Sequence, residues 1–295
     1  MRLSVIIPTK NRKSDLIALI NSLMGQSIIP DELIIIDQSD TLSCKSIIIN
    51  KWNTIENSKL KYIHDTSING LVEAKWVGSK LASSEIICFL DDDLILDKHF
   101  LREIIKPFFE NFDIKGSSGI FINYPKTSFA YKVIYSFFHK GIFKDPRPAV
   151  FKKYFGYCNN LLKTTVLWGG ITAWRSEILQ EVEFDTENSL FMMEDFDYSR
   201  KIRENFNGGL YLNPNARVVH NHSQTNRASE YEQEKRKIFE YLAFYKKWKH
   251  TSYSLIPLIW LFIGLFLHVL YRALSNKNIK LISAFWSGIK MSVSR

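Results

Sequence analysis

Glu85-Ile-Ile-Cys-Phe-Leu-Asp-Asp-Asp93 runs from an apolar stretch straight into three carboxylates. An apolar run of that length reads as a buried strand. Three carboxylates at its C-terminal tip repel one another, which raises their pKa values and costs stability unless a divalent cation reverses the sign of the effect. A metal site is therefore one reading. The other is a solvated turn that opens a helix, since Leu94 to Asn111 has a helical pattern and Asp is favoured at helix starts.

Working outward towards the N-terminus, apolar strand-like runs alternate with segments of helical period. They are Leu3 to Ile7, Leu16 to Met24, Leu33 to Ile36, Leu60 to Ile63, Val72 to Leu81 and Ile86 to Leu90. That alternation predicts βαβ units and a parallel sheet covered on both faces. Polar residues recur where each strand ends: Thr9, Asn11 and Arg12, then Asp37, then Asp65, then Asp91 to Asp93. Open α/β sheets bind ligands beyond the carboxyl ends of their strands, so these residues are expected to converge. No Gly-x-Gly-x-x-Gly follows the first strand and no Gly-Lys-Ser/Thr follows any, which disfavours a dinucleotide fold and a P-loop NTPase.

Five motifs in order carry a resemblance. They are Val5-Ile-Ile-Pro-Thr-Lys-Asn-Arg12, Ile34-Ile-Ile-Asp37, Phe89-Leu-Asp-Asp-Asp93, Trp168-Gly-Gly-Ile-Thr-Ala-Trp-Arg175 and Met193-Glu-Asp-Phe-Asp-Tyr-Ser-Arg200. Together they resemble the family 2 glycosyltransferases, inverting enzymes of the GT-A fold, in their membrane-associated bacterial type. The resemblance covers about residues 3 to 225. It implies an α/β domain over residues 1–228, with 1–123 as the nucleotide-sugar half and 124–228 as the acceptor half. The sheet is expected to be mainly parallel and flanked by helices, with a hydrophobic helical arm at 229–295.

The resemblance also implies roles for single residues. Pro8, Thr9 and Arg12 would lie by the donor nucleotide, and Asp37 would contact its base; a turn-initiating Asp in Asp37-Gln-Ser-Asp40 is the competing reading. Asp91 would face the ribose or diphosphate, with Asp92 beside it. Asp93 would hold a Mn²⁺ or Mg²⁺ that neutralises the departing nucleoside diphosphate. In Asn69-Gly-Leu-Val-Glu-Ala-Lys-Trp-Val-Gly78, Lys75 stands where the family usually has Arg, which keeps a charge by the nucleotide and loses the planar fork. Gly169, Gly170 and Glu194 would lie on the acceptor side. Asp195 would be the general base that takes the acceptor hydroxyl's proton, and a single base without a covalent intermediate predicts inversion. Asp197 and Arg200 would support it, and helix-dipole complementation alone also accounts for acids there.

Pro214-Asn-Ala-Arg-Val-Val-His-Asn-His222 places two histidines on one face of an extended segment. The family pattern favours His220 over His222 as a metal or diphosphate ligand, and a carboxylate with an imidazole suits Mn²⁺ slightly better than Mg²⁺. Phe129 to Lys140, and on to Phe155, interleaves aromatics with cations. This suits sugar stacking, a lipid headgroup or a diphosphate, and also an aromatic helix packed on the sheet. His139 reads as a surface or loop histidine.

The formal charge is +9, and eight of those charges fall after Glu240, where the chain has Lys246, Lys247, Lys249, Arg272, Lys277, Lys280, Lys290 and Arg295 and no acid. A nucleic-acid binder would more often spread its basic surface over the folded domain, and no such motif is present; the tail points to an anionic membrane surface. Glu230 to Trp248 reads as a charged amphipathic helix. Thr251 to Tyr271 has no formal charge and the length of a span, with positive flanks on both sides that select no single crossing direction and favour an arm that enters and returns or lies in the cytoplasmic interface; a buried helix of a soluble domain or an oligomer interface is the competing reading. Ile279 to Ile289 reads as a second amphipathic contact. Removing everything after Lys249 is expected to leave a soluble domain. Cys44, Cys88 and Cys158 are too scattered for a disulfide framework or a zinc site, and Leu3 to Pro8 is too short for a secretory signal, so a reducing cytoplasm is expected.

The function expected is sugar transfer from a nucleotide diphospho-sugar to a glycan or lipid-linked acceptor. It would occur at the cytoplasmic face of the cell membrane, in cell-surface polysaccharide synthesis. The alternatives are a nucleotidyltransferase, which should carry a Gly-rich basic loop after its first strand, and a catalytically silent membrane-bound module, which need not retain Asp93, Asp195 and His220 together.

Overall fold

The structure, a computed structural model, describes residues 1–42, 44–123, 129–149, 160–188, 190–223, 225, 228–250 and 255–293. The chain divides into two compact units, the first made of residues 1–124 and 146–226, the second of 125–145 and 227–295.

Among the described residues the first unit is built on a nine-stranded sheet. Its strands are β1 (Leu3–Thr9), β2 (Glu32–Asp37), β3 (Lys59–His64), β4 (Ile86–Leu90), β5 (Leu94–Leu96), β6 (Ile114–Phe121), β7 (Leu162–Thr164), β8 (Ile171–Arg175) and β9 (Gly209–His220). They lie in the order β3-β2-β1-β4-β8-β6-β9-β5, with β7 paired to β9. Every residue of β1, β2 and β4 is buried, as strands covered on both faces require, and β3 at the edge is only half-buried. Helices α1 (Lys13–Met24), α2 (Lys45–Trp52) and α3 (Gly70–Leu81) make the crossovers; α1 and α2 bury apolar residues, and α3 buries Lys75 beside Val72, Ala74 and Gly78.

The expected parallel pairing holds for β3-β2-β1-β4. Beyond β4 the sheet is mixed: β8 runs antiparallel to both β4 and β6, while β6 and β9 are parallel. The helix expected over Leu94 to Asn111 is also corrected. Leu94-Ile-Leu96 is a strand, because it pairs antiparallel with Val218 to His220. Only after Asp97, whose Oδ1 accepts the His99 N–H at 3.0 Å, does α4 (Phe100–Glu110) begin. A three-residue apolar run beside an amphipathic helix has no period of its own, so the strand merges into the helix pattern. Helices α6 (Ser176–Glu181) and α7 (Glu194–Asn205) complete this unit.

The second unit is helical. It contains α5 (Phe129–Phe138), a short 3₁₀ turn at Gly141–Phe143, α8 (Glu230–Trp248), α9 (Leu255–Ser275) and α10 (Lys280–Val293). Ser229 caps α8, its side chain accepting the Glu232 N–H at 3.2 Å. Among the described residues α9, with 21 residues, is the one helix long and apolar enough to cross a membrane. His139 lies in the loop after α5, but not at the surface. It is buried, stacked 3.9 Å from the Tyr135 ring, and bonded to the Tyr241 hydroxyl at 3.1 Å, and burial pulls its pKa down to about 4. The aromatic stretch around it offered this environment, and the partner lies 102 residues away in sequence. The part of that stretch at 150–159, Cys158 included, lies outside the described residues.

Candidate active site

Parallel pairing of β1, β2 and β4 brings their C-terminal tips side by side, so Thr9, Asp37 and the Asp91–Asp93 run end at one edge of the sheet. After β1 the chain turns sharply at Asn11, which adopts φ 56°, a left-handed conformation that Asn tolerates. The turn is fixed by the Asn11 N–H donating to Ser39 Oγ at 2.7 Å and by the Asn11 side chain meeting Asp40 at 2.8 Å. It delivers Arg12 onto the carboxylates: Nη1 lies 2.9 Å from Asp92 Oδ1 and 3.6 Å from Asp93 Oδ2. Thr9 Oγ1 donates to the other Asp92 oxygen at 2.8 Å. Burial pushes Asp92 up to about 6, against the pull of Arg12 and Thr9. Asp92 thus anchors the β1 turn.

Asp93 is positioned differently. Its main-chain oxygen accepts the Asn221 N–H at 2.9 Å and its Oδ2 accepts the Ser223 N–H at 3.1 Å, which ties it to the segment following β9. His220, the last residue of β9, presents Nε2 2.9 Å from Asp93 Oδ1. The two atoms are close but not aligned as a hydrogen bond, and Oδ1 is buried with no hydrogen-bond partner among the described residues. Burial pushes the Asp93 pKa up, but His220, the Ser223 N–H and Arg12 outweigh it and hold the carboxylate below its ordinary value. His220 stacks on Phe121 at 5.2 Å, and its main-chain N–H donates to Asn123 Oδ1 at 2.9 Å. His222 is not on the same strand: β9 ends at His220, and His222 takes φ 49°, although its ring lies 4.1 Å from that of His220.

A second cluster forms around the glycine pair. Asp91 donates its N–H to Gly170 O at 2.9 Å, and a Cβ on Gly170 would fall 1.9 Å from Asp91 Oδ2. A Cβ on Gly169 would fall 1.8 Å from Glu194 Oε1. Two carboxylates therefore pack directly on this backbone, which only glycine allows. Lys75, buried in α3, reaches across to Glu194 Oε1 at 2.5 Å and Gly169 O at 3.1 Å, over the Phe89 ring. Burial pushes Glu194 up, as it does Asp91, with the Lys75 charge opposing both. Lys75 and Glu194 are thus joined to each other.

Asp195 follows at the N-terminus of α7, with Oδ1 accepting the Phe196 N–H at 2.9 Å. Its Oδ2 is held by Arg147, a residue that sequence reasoning did not single out. Arg147 is buried, bonded to Leu167 O at 3.0 Å, and lies between the rings of Trp168 and Phe196, at 5.5 Å and 5.0 Å. The available signal was an Arg between two prolines, Pro146-Arg147-Pro148, in a stretch otherwise read for its aromatics. Asp197 is buried one turn before Lys201, and Arg200 pairs with Glu204 at 3.0 Å.

The sequence-predicted residues therefore fall into groups. Thr9, Arg12, Asp92, Asp93 and His220 meet in one; Lys75, Asp91, Gly169, Gly170 and Glu194 meet in the next. Pro8 lies in β1 opposite Ile36, and Asp37 stands apart. Asp37 is fully buried, with Oδ1 taking the Ser39 N–H at 2.9 Å and Oδ2 the Tyr62 hydroxyl at 2.5 Å. The turn-initiating bond weighed for it is present. Among the described residues no group of three or more His, Cys, Asp or Glu side chains is arranged to hold a metal ion. Asp93 and His220 would supply two ligands, and the orphaned, buried Oδ1 beside an imidazole fits a cation whose remaining positions come from a ligand's oxygens and water.

Comparison with known proteins gives a family and a fold. The model of the family described as "Glycosyl transferase family 2" matches residues 4–182. A search of curated proteins found no match. Among solved structures, the chain is similar to mannosyltransferase PcManGT from Pyrobaculum calidifontis in complex with GDP-Man and Mn²⁺. The identity is 14% and the TM-score 0.61, over 99% of this chain and 75% of that one. It is also similar to GalNAc-T7 with UDP, GalNAc and Mn²⁺, at 15% identity and a TM-score of 0.61, over 83% of this chain and 48% of that one. At such identities the likeness speaks for fold alone.

Proposed function

The chain belongs to glycosyl transferase family 2 and has a GT-A-type fold, and from that premise we propose that it transfers a sugar from a nucleotide diphospho-sugar with inversion. The reading rests on the strand-tip cluster, above all the buried Asp93 Oδ1 that faces His220 without a hydrogen bond. A Mn²⁺ or Mg²⁺ held by Asp93 and His220 would supply positive charge to a departing nucleoside diphosphate. Mn²⁺ is the better fit to a site with an imidazole, and both solved relatives carry it.

The chain's own groups do the rest. Thr9, Arg12 and Asp92 hold the β1 turn beside Pro8 against the donor nucleotide, and Arg12 adds a fixed cation next to the diphosphate. Asp37 shapes the wall for the base through Tyr62. Lys75 and Glu194, buried and paired, hold the Gly169-Gly170 backbone so that Asp91 can face the ribose or diphosphate on one side while the acceptor enters on the other. Asp195 takes the acceptor hydroxyl's proton as the oxygen attacks the anomeric carbon, and Arg147 keeps that carboxylate aimed. A single base acting without a covalent sugar intermediate gives inversion. The basic, acid-free tail supports attachment to the cytoplasmic face of the cell membrane and an acceptor that is a glycan or a lipid-linked glycan, as in cell-surface polysaccharide synthesis.

The test is donor binding and turnover. The purified chain, incubated singly with a panel of nucleotide sugars and Mn²⁺, is expected to release a nucleoside diphosphate from one of them. Calorimetry should show that binding of that diphosphate requires Mn²⁺ and is lost in Asp93→Ala. Equal affinity in wild type and variant would remove Asp93 from the site.

A further inference from the structure

The second unit carries an apolar surface with a particular shape. On α9, Leu258, Leu261, Leu265, Val269 and Ala273 are buried against the rest of the unit. Leu255, Ile259, Ile263, Leu267 and Tyr271, every fourth residue, are exposed on the opposite side. The exposed row continues onto both neighbours. Trp260 meets Phe137 of α5 at 5.1 Å, and Phe266 meets Trp286 of α10 at 6.1 Å, with Phe137 and Trp286 themselves more than half exposed. A contiguous apolar patch of this kind on one side of a unit marks an interaction surface.

The same contacts fix how α9 can lie. Near its start the Trp260 Nε1–H donates to Phe137 O at 3.0 Å. Near its end Arg272 bonds Glu234 at 2.9 Å and Glu230 at 3.1 Å, both on α8. Helix α9 is thus fastened at both ends to a layer that includes α8, which carries Glu230, Glu232, Glu234, Lys235, Arg236 and Lys237 within its first eight residues. Standing α9 upright across a bilayer would drag that layer into hydrocarbon, where each charge costs about 2.5–3.5 kcal/mol even on the most lenient scale. Around the patch the exposed Lys277 and Lys280 close the α9–α10 turn, and no acid follows Glu240 anywhere in the sequence. An apolar face with exposed cations at its α9–α10 end complements an anionic lipid surface and not a second copy of this equally basic tail.

We propose that α9 does not cross the membrane but lies in the plane of an anionic leaflet, with its exposed row and the flanking Phe137 and Trp286 buried at the headgroup–acyl boundary. The proposal rests on the membrane attachment proposed above and adds its geometry. From Ile256 to Leu274 the helix measures about 27 Å, close to the ~30 Å hydrocarbon core, so the two arrangements differ in depth by nearly a full membrane.

The full-length chain in a Cys158→Ser background, where Cys44 and Cys88 are buried, would be labelled with an environment-sensitive fluorophore at Ile256→Cys, Ile263→Cys or Leu274→Cys. Each labelled protein would be added to phosphatidylcholine–phosphatidylglycerol vesicles carrying a nitroxide at the headgroup or deep in the acyl chain. Expected are equal, shallow depths at all three positions, with donor hydrolysis unchanged. A graded depth from 256 to 274 overturns the in-plane arrangement while leaving membrane attachment standing. No binding to the vesicles at all removes both. Ile263→Asp, exposed and outside the catalytic unit, should weaken vesicle binding by tenfold or more; unchanged affinity counts against the patch.

Discussion

Glu32 shows how far a single buried carboxylate is tied into this fold. Lying in β2, it accepts from Ser4 of β1 at 2.7 Å and from the Ser83 N–H at 3.1 Å, and pairs with Lys61 of β3 at 2.5 Å. Burial raises its pKa, but Lys61, Ser4 and Ser83 together bring it below the ordinary 4.5. A folded pKa below the unfolded one means that the carboxylate stabilises the fold above about pH 4.5 and that this contribution fades as pH falls through the folded pKa. Glu32→Gln is therefore expected to cost about 1–3 kcal/mol at pH 7 by leaving these partners poorly satisfied. In urea unfolding its deficit should shrink as pH drops below about 4.5; a deficit that does not change with pH would mean that packing, not charge, is at stake. In the function proposed above, Asp195 is the general base. Asp195→Asn should keep donor binding and lose on the order of 10²- to 10⁴-fold in transfer rate. Glu194→Gln, joined to Lys75 and Gly169, should instead weaken the fold around the glycine pair, visible as a lowered Tm. If the two variants have the same phenotype, the base lies elsewhere.

Among elements, the loop between β7 and β8 carries the tightest steric constraint. Gly170→Ala would drive a methyl into Asp91 Oδ2, where no flexible neighbour can yield without moving the carboxylate, and Asp91 is itself bonded through its N–H to Gly170 O. Transfer activity should fall at least tenfold in this variant, whereas Gly25→Ala at the end of α1, whose Cβ would meet nothing closer than 3.7 Å, should be silent. Full activity in Gly170→Ala would show that Asp91 has room to move. Elements of this kind were legible where a pattern belongs to one segment. The buried runs of β1, β2 and β4 announce themselves, and so do their polar tips. Short β5 was not legible, because a three-residue strand is defined by its partner β9 and not by its own period. Nor was Arg147 beside Asp195, because the contact joins positions 48 apart and neither residue type requires the other. The placement of His139 against Tyr241 is lost for the same reason.

At the scale of the whole molecule, the helical unit draws on two distant parts of the chain, residues 125–145 and 227–295. The composition break after Lys249 suggests a clean place to cut, but the packing does not respect it. Helix α8 rests on α10: Ile238 lies under Gly288, where an added Cβ would come within 2.8 Å of it, and Tyr231 shares a hydrogen bond with Ser287 at 3.0 Å. Buried Glu234 depends on Arg272 of α9 for one of its ion pairs. A chain ending at Lys249 would bare Ile238, at about 1.5–3 kcal/mol for a buried aliphatic side chain, together with every other α8 residue that α10 covers, and would strip Arg272 from Glu234. Such a truncation is expected to aggregate or to bind a hydrophobic dye, with a lowered Tm, so the simple expectation of a soluble domain is replaced. Loss of membrane binding in that truncation would then be confounded with loss of folding, whereas Ile263→Asp removes an exposed side chain and leaves the α8–α10 contacts in place. A soluble, monomeric chain ending at Lys249 with the Tm of the full-length protein would show that α8 stands without α10 and would restore the cut as a usable test.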